Sequence, residues 1–307
     1  MKIVLGSRGS PLALVQTRSV AEQLQKIDPS LEIEITVIKT QGDKLLDLPI
    51  WQIGDKGLFV KELENALQEK KIDLAVHSVK DLPAVIPDDL DLVAFPLRED
   101  PSDVLLTKDN LSWEELPPGA LLGTSALRRQ SQLLAKRPDL NIKMLRGNVD
   151  TRVRKLDEGL YFGIVLARAG LHRLGIERGV TLPESVILPS PGQGALAIET
   201  RKNDHELRAI AKNLNDEATW HCVTAERSFL LTLEGGCQVP LGALAKFEKE
   251  TLILEGFLGT PDGKKTLRAQ KEGSAKEAKG LGKALALEVL DKGHSILETL
   301  KNSAGKP

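Results

Sequence analysis

Lys2-Ile3-Val4-Leu5-Gly6-Ser7-Arg8-Gly9-Ser10-Pro11-Leu12-Ala13 is the stretch on which the fold turns. Its apolar run at residues 2–5 reads as a buried strand, and the glycines on either side of Ser7-Arg8 supply a loop. Ser10 is a good N-cap, and Pro11 suits the first helical position, where a missing N–H costs nothing, so a helix is predicted to about residue 27. Strand, loop and capped helix form the repeating unit of an α/β protein with largely parallel sheets. The unit recurs: residues 31–39 alternate as a strand, 58–70 carry apolar residues at helical spacing, and 73–78 read as a short buried strand.

A second set follows the charged Arg98-Glu99-Asp100-Pro101 stretch. Strands are predicted at 120–124, 142–145 and 161–167, with a helix over 126–136 capped by Ser125 and another from about 151. Residues 186–189 lead into Ser190-Pro191-Gly192-Gln193-Gly194, whose turn formers suit a crossing between domains, and an apolar strand follows at 195–199. The remainder differs in texture. A helix over 216–233 ends at Gly235-Gly236, strands at 252–258 and 266–270 can pair across Thr260-Pro261-Asp262-Gly263, and 275–290 form a helix. This predicts a small α+β domain behind two α/β domains, with boundaries of 1–97 plus 193–214, 98–192 and 215–307.

Composition narrows the function classes. The 307 residues carry 42 Lys+Arg against 43 Asp+Glu, so wholesale electrostatic binding to nucleic acid is disfavoured, and 3% aromatic residues offer few stacking platforms. Two cysteines cannot make a zinc cluster or a disulfide framework in so long a chain, which favours a reducing compartment and no metal. The N-terminal apolar run breaks too early for a secretory signal, and no stretch reaches the roughly 20 apolar residues of a membrane span. A cytoplasmic protein is expected.

Charge is unevenly placed. Nine of the 16 arginines lie between Arg128 and Arg178, where twelve cations face five anions for a local net charge of +7. Arg128, Arg129 and Arg152 fall near predicted helix starts, Arg8 lies in the loop before the first helix, and Arg146-Gly147-Asn148 follows a strand. Cations at a helix start oppose its dipole by about 0.3–1 kcal/mol each, whereas a helix N-terminus with added arginine makes a receptor for carboxylate or phosphate. Singly, each arginine is also compatible with a solvated surface charge paired to a local acid.

His77-Ser78-Val79-Lys80-Asp81-Leu82-Pro83 ends a buried strand, where open α/β sheets place ligands. Lys80 and Asp81 are either catalytic groups at a cleft or a surface ion pair, and His77 reads as a packed strand residue. Cys237, in Glu234-Gly235-Gly236-Cys237-Gln238, is either an ordinary loop thiol or a nucleophile. Cys222 lies in a helical run and reads as a packed residue. Gly54-Asp55-Lys56-Gly57 lacks the spacing and hydroxyl of a P-loop.

Taken in order, Gly6–Ala13, Gly57-Leu58-Phe59-Val60-Lys61-Glu62-Leu63, His77–Pro83, Gly123–Gln130, Arg146-Gly147-Asn148-Val149, Pro191–Ala195 and Glu234–Pro240 closely resemble the hydroxymethylbilane synthase (porphobilinogen deaminase) family over nearly the whole chain. The resemblance implies two α/β domains folded like type II periplasmic binding proteins plus a small C-terminal α+β domain. It implies a monomeric transferase that joins four porphobilinogens head to tail with loss of ammonia, primed on a dipyrromethane cofactor held by a thioether. Position by position, Cys237 matches the attachment site and Asp81 the catalytic carboxylate that assists ammonia loss and stabilises cationic azafulvene-like intermediates. Lys80, Ser78, Arg128 and Arg129 match cofactor-binding positions, and Arg8, Ser10, Gln16, Arg146, Arg152 and Arg173 match the lining of the substrate and growing-chain site. Two positions depart from the pattern. Ala126 stands where a second serine is common, and Gly54-Asp55-Lys56 replaces the usual double glycine. The rival reading is a non-catalytic two-domain anion- or solute-binding protein, for which Cys237 and Asp81 would be incidental.

Overall fold

The computed structural model describes residues 1–40, 60–233 and 239–304. The Gly54-Asp55-Lys56-Gly57 loop and the Cys237 loop lie outside the described residues. In chain order the first elements are β1 (Lys2–Arg8), α1 (Pro11–Ile27), β2 (Glu32–Ile38), α2 (Lys61–Gln68), β3 (Leu74–Ser78), a 3-10 turn (Val79–Asp81) and β4 (Leu90–Ala94). Ser10 caps α1 as expected, its hydroxyl accepting from Ala13 N at 3.3 Å. Helix α1 buries Val20, Ala21 and Leu24 against Leu74 and Val76 of β3, while α2 covers the opposite face through Leu63 and Leu67.

The chain then enters β5 (Asp103–Thr107), β6 (Leu121–Gly123), α3 (Leu127–Lys136), β7 (Asn141–Lys143), α4 (Val149–Asp157), β8 (Gly163–Ala167), α5 (Arg168–Arg173) and β9 (Val180–Thr181). It returns as β10 (Leu196–Arg201) and α6 (His205–Lys212). The first sheet has the order β2-β1-β3-β10-β4 and the second β7-β6-β8-β5-β9. These are one topology used twice, with a single reversed strand beside the last position. In the first sheet that strand is β10, antiparallel to β3 and β4; in the second it is β5, antiparallel to β8 and β9. Each reversed strand directly follows a crossing between the sheets, at 95–102 and at 188–195, so the sheets are parallel except where the chain changes lobe.

One expected cap is different. Ala126, not Ser125, is the N-cap of α3 and gives no side-chain hydrogen bond; Thr124 Oγ1 instead accepts from Ala126 N at 3.2 Å. The hydroxyl one residue further back reaches the Ala126 amide, Ala126 itself being extended rather than helical.

The last region comprises α7 (Glu217–Thr232), β11 (Leu241–Glu248), β12 (Thr251–Gly259), β13 (Thr266–Ser274), α8 (Ala278–Lys292) and α9 (His294–Ala304). Its antiparallel sheet β11-β12-β13 packs Leu252, Leu254 and Leu258 against Phe229 of α7 and Leu285 and Val289 of α8. The opposite face meets the second lobe through Phe257, Leu244 and Leu188. Strand β11 was not anticipated; its run of Gly and Ala between Leu241 and Leu244 lacks the branched residues that signal a strand, and pairing with β12 over eight registered positions supplies the missing preference. Among the described residues no helix is long and apolar enough to cross a membrane.

Candidate active site

Eight of the predicted site residues lie at or just after the C-terminal ends of parallel strands of the two sheets. Arg8 ends β1, Ser78 ends β3, and Lys80 and Asp81 lie on the 3-10 turn that follows. From the second lobe, Arg128 and Arg129 open α3, Arg146 follows β7, and Arg152 lies in the first turn of α4. Strand carboxyl ends carry the helix N-termini with their free N–H groups, so this edge of an α/β sheet is where anions bind.

In the first lobe, Gln16 is buried and exchanges hydrogen bonds with Ser78. Its Nε2 donates to Ser78 Oγ at 3.0 Å, which ties α1 to the end of β3. Asp81 is exposed, whereas Lys80 is half-buried. Burial, together with the neighbouring guanidinium groups of Arg129 and Arg128, pulls the Lys80 ammonium down to about 8, against the opposing charge of Asp81. Arg152 is similarly lowered to about 10 by burial and by the charges of Arg129 and Arg146, again with Asp81 opposing. Its Nε donates to Gly147 O at 2.7 Å, which aims the guanidinium across the first turn of α4.

Arg128 and Arg129 are both buried, and the two share a carboxylate that sequence reasoning missed. Asp103, on β5, accepts from Arg128 Nη1 at 2.7 Å through one oxygen and from Arg129 Nη2 at 2.7 Å and Nε at 3.1 Å through the other. Arg128 Nη1 also donates to Leu188 O, and Arg129 Nη1 to Val165 O at 2.9 Å. These charges hold the Asp103 carboxyl far below the usual carboxylate range despite its burial. Two cations tolerate the start of α3 because a buried anion from a neighbouring strand sits between them. An aspartate heading the apolar run Val104-Leu105-Leu106 was the available signal.

Lys80, Asp81, Asp103, Arg128, Arg129, Arg146 and Arg152 therefore feel one another's charge, five cations against two carboxylates. Arg173 is placed differently. Its Nη2 donates to Gly194 O at 2.8 Å, which puts this guanidinium on the second crossing. Gly192, at φ +73°, packs so closely on Val79 and the backbone N of Lys80 that a Cβ would meet Val79 Cγ1 at 2.2 Å. The crossing and the Lys80–Asp81 turn are thus one packed unit.

Cys222 is buried in α7, where burial and the charge of Glu226 push the thiol up to about 12, leaving almost no thiolate at neutral pH. It is a core residue, as its helical position suggested.

Two lobes of one α/β topology bring the strand ends that carry Lys80, Arg128, Arg129 and Arg152 within reach of one another's charge, and with the small C-terminal α+β region they define a two-lobed α/β scaffold. Its shape has distant counterparts. The periplasmic VFT2 domain of BvgS from Bordetella pertussis aligns with a TM-score of 0.41 at 16% identity, covering 70% of this chain and 86% of that one. The family model described as porphobilinogen deaminase, dipyrromethane cofactor binding domain, matches residues 3–209, and that of the porphobilinogen deaminase C-terminal domain matches 220–291. Relatives named porphobilinogen deaminase include one from Roseiflexus sp., 49% identical over 96% of this chain and 98% of its own length. A second, from Syntrophobacter fumaroxidans, is 47% identical over 97% of each chain. The chain belongs to the porphobilinogen deaminase family.

Proposed function

We propose that this protein joins four porphobilinogens head to tail into hydroxymethylbilane, releasing one ammonia per addition, on a dipyrromethane primer carried by Cys237. The observation that carries the reading is the excess of cations over carboxylates at the meeting strand ends. Primer, substrate and growing chain all bear acetate and propionate groups, so each bound ring brings two further negative charges. Lys80, Arg128, Arg129, Arg146 and Arg152 hold these carboxylates, with Ser78 beside the primer. Arg8, Ser10, Gln16 and Arg173 line the path of substrate and product.

The residues fit the primer. A dipyrromethane offers several carboxylates and two pyrrole N–H groups, which match a group of guanidiniums around one exposed carboxylate. When bound, it supplies the electron-rich pyrrole carbon to which the next ring is joined. Asp81 accepts hydrogen bonds from pyrrole N–H groups and stabilises the positive charge that develops at the aminomethyl carbon as ammonia leaves, an interaction stronger in the transition state than in the ground state. Arg128, Arg129 and Arg152, held by backbone carbonyls and, for the first two, by Asp103, need little rearrangement to receive anions. Cys222, with its thiol pushed up by burial, is no competitor for attachment.

The test is intact mass and peptide mapping of purified protein, followed by ammonia release and product absorbance on adding porphobilinogen. A dipyrrole adduct on Cys237 with turnover supports the reading. Active protein of bare sequence mass, or porphobilinogen bound without turnover, defeats it; the latter result would favour a binding protein.

A further inference from the structure

Behind the 79–81 turn, on the sheet face away from α1, lies a buried ionisable cluster that the proposed chemistry does not use. His77 on β3 and Glu199 on β10 are paired, Nε2 to Oε2 at 2.8 Å, with both side chains almost fully buried. The ladder between β10 and β4 shifts register between Ile198 and Glu199, and such an irregularity re-aims the side chain that follows it. Glu64 of α2 faces the pair; burial and the charge of Glu199 raise its carboxyl to about 7, with His77 opposing, Asp89 adding to the rise and Lys61 reducing it. Arg227 of α7 also feels the charge of Glu199, and its Nη2 donates to Pro83 O at 3.1 Å and Ala84 O at 3.2 Å.

The geometry brackets one segment of chain. His77 immediately precedes Ser78 and the Val79–Asp81 turn, while Pro83 and Ala84 follow that turn after Leu82. Glu199 is the anion common to the groups that grip the two ends. Glu199 Oε1, Glu64 Oε1 and Arg227 Nη1 are buried without a hydrogen-bond partner among the described residues. Burying such atoms is costly, so a cluster that serves stability alone would be expected to satisfy them or replace them with apolar groups.

We propose that Glu199 is a positioning residue: through His77 and Arg227 it fixes both ends of the turn that presents Lys80 and Asp81. The inference rests on the proposed role of Asp81. A strand end free to shift by a fraction of an ångström would still fold and bind, but it would present the carboxylate badly to the reacting carbon.

The experiment compares wild type, Glu199→Gln and Arg227→Met as holoproteins of confirmed mass, reading turnover, KM and amide hydrogen exchange. In Glu199→Gln, kcat should fall ~10-fold with KM within about twofold, since misplacement acts on the transition state. Exchange at the Val79 and Leu82 amides, which now donate to Ala195 O and Val79 O, should accelerate ~10-fold while α8 is unchanged. Arg227→Met, which keeps the buried pair and covers the case in which Glu199→Gln does not fold, should move both readouts in the same direction by less. The double variant should lose no more kcat than the worse single one, because both act through one turn. A lowered melting temperature with kcat and the 79–84 amides unaltered overturns the proposal, as do additive kcat losses. Exchange judges positioning even where wild type turns over no porphobilinogen, a result that removes the functional reading alone.

Discussion

Arg98 and Glu226 meet through two hydrogen bonds of 2.6 and 3.1 Å, with Glu226 fully buried and Arg98 nearly so. Arg98 lies on the first crossing between the lobes and Glu226 on α7. The same carboxylate accepts from Gly192 N on the second crossing and from Ala245 N on β11 at 2.8 Å. One side chain therefore gathers both crossings and the C-terminal region at a single point, through the same Gly192 that packs on Val79 and Lys80. Gln193 reinforces the junction, its Nε2 donating to Pro101 O at 2.7 Å and to Asp103 Oδ1 at 3.0 Å.

Glu226→Gln should lower stability by about 3–5 kcal/mol in urea unfolding, because Arg98 is left as a buried cation without its anion. Adding Arg98→Met should recover part of that loss, since the stranded charge is then gone. A single-variant cost below about 1 kcal/mol would mean the pair is dispensable to the junction.

Asp103→Asn should cost about 3 kcal/mol or more and impair cofactor loading, because Arg128 and Arg129 lose the anion that orients them. The pH dependence has a defined sign. The folded Asp103 carboxyl titrates well below its ordinary 3.8, so its stabilisation is fully present above about pH 4 and is lost progressively as pH falls below that value. The stability gap between wild type and variant should therefore narrow in acid. Urea titrations at pH 6 and pH 3 check this, and a gap that widens contradicts the assignment.

Lys80→Met should trade stability against loading. The folded ammonium is held near 8 against an ordinary 10.5, so below pH 8 it is kept charged at a cost, and stability rises between about pH 8 and 10.5 as the folded form alone sheds the proton. Removing it should stabilise the unloaded protein at pH 7 by about 1–2 kcal/mol and abolish the alkaline rise from this site. Mass spectrometry should show mostly unloaded protein. Normal loading would remove Lys80 from the cofactor site.

Asp81→Asn keeps the shape of the side chain but removes its charge. We expect folded, loaded protein with kcat lowered at least ~100-fold, the lower end of what a positioned acid–base group contributes. Asp81→Glu should keep more activity than Asn. Steady-state kinetics on protein of confirmed mass decides the matter; a rise in KM with kcat unchanged would make Asp81 a binding residue only.

Cys222 should resist iodoacetamide in the native protein at pH 8. With its thiol near 12, the thiolate fraction is about one in ten thousand, and access is limited by burial. Peptide mapping after unfolding should then find Cys222 freshly reactive. Rapid native labelling would contradict its place in the core.

Local signals read well from the sequence. Ser10 and Pro11 marked the start of α1, Asp216 the start of α7, and Arg128 and Arg129 lie at the start of α3 as expected. What escaped was set by partners far along the chain. Asp103 is 25 and 26 residues from the arginines it joins, and Glu199 is 122 from His77, so neither pairing leaves a spacing to detect. Strands β4 and β5 are short and largely buried, without the alternation that announces a half-exposed strand. The reversed β5 and β10 look like any other apolar run, because direction within a sheet is decided by where the chain enters it.

That reversed strand has a consequence for biosynthesis. Among the described residues of the first sheet β4 pairs with β10 alone, and β10 is also the partner that covers one edge of β3. Until residue 201 has left the ribosome, the N-terminal lobe exposes those unsatisfied backbone edges to the surrounding solution, while β5 to β9 of the second lobe are already complete in the chain. The N-terminal lobe of the nascent polypeptide must wait for the strand that joins β3 to β4, so the interval spent translating about a hundred residues is when strand capture by another molecule, or by a chaperone, competes with correct closure.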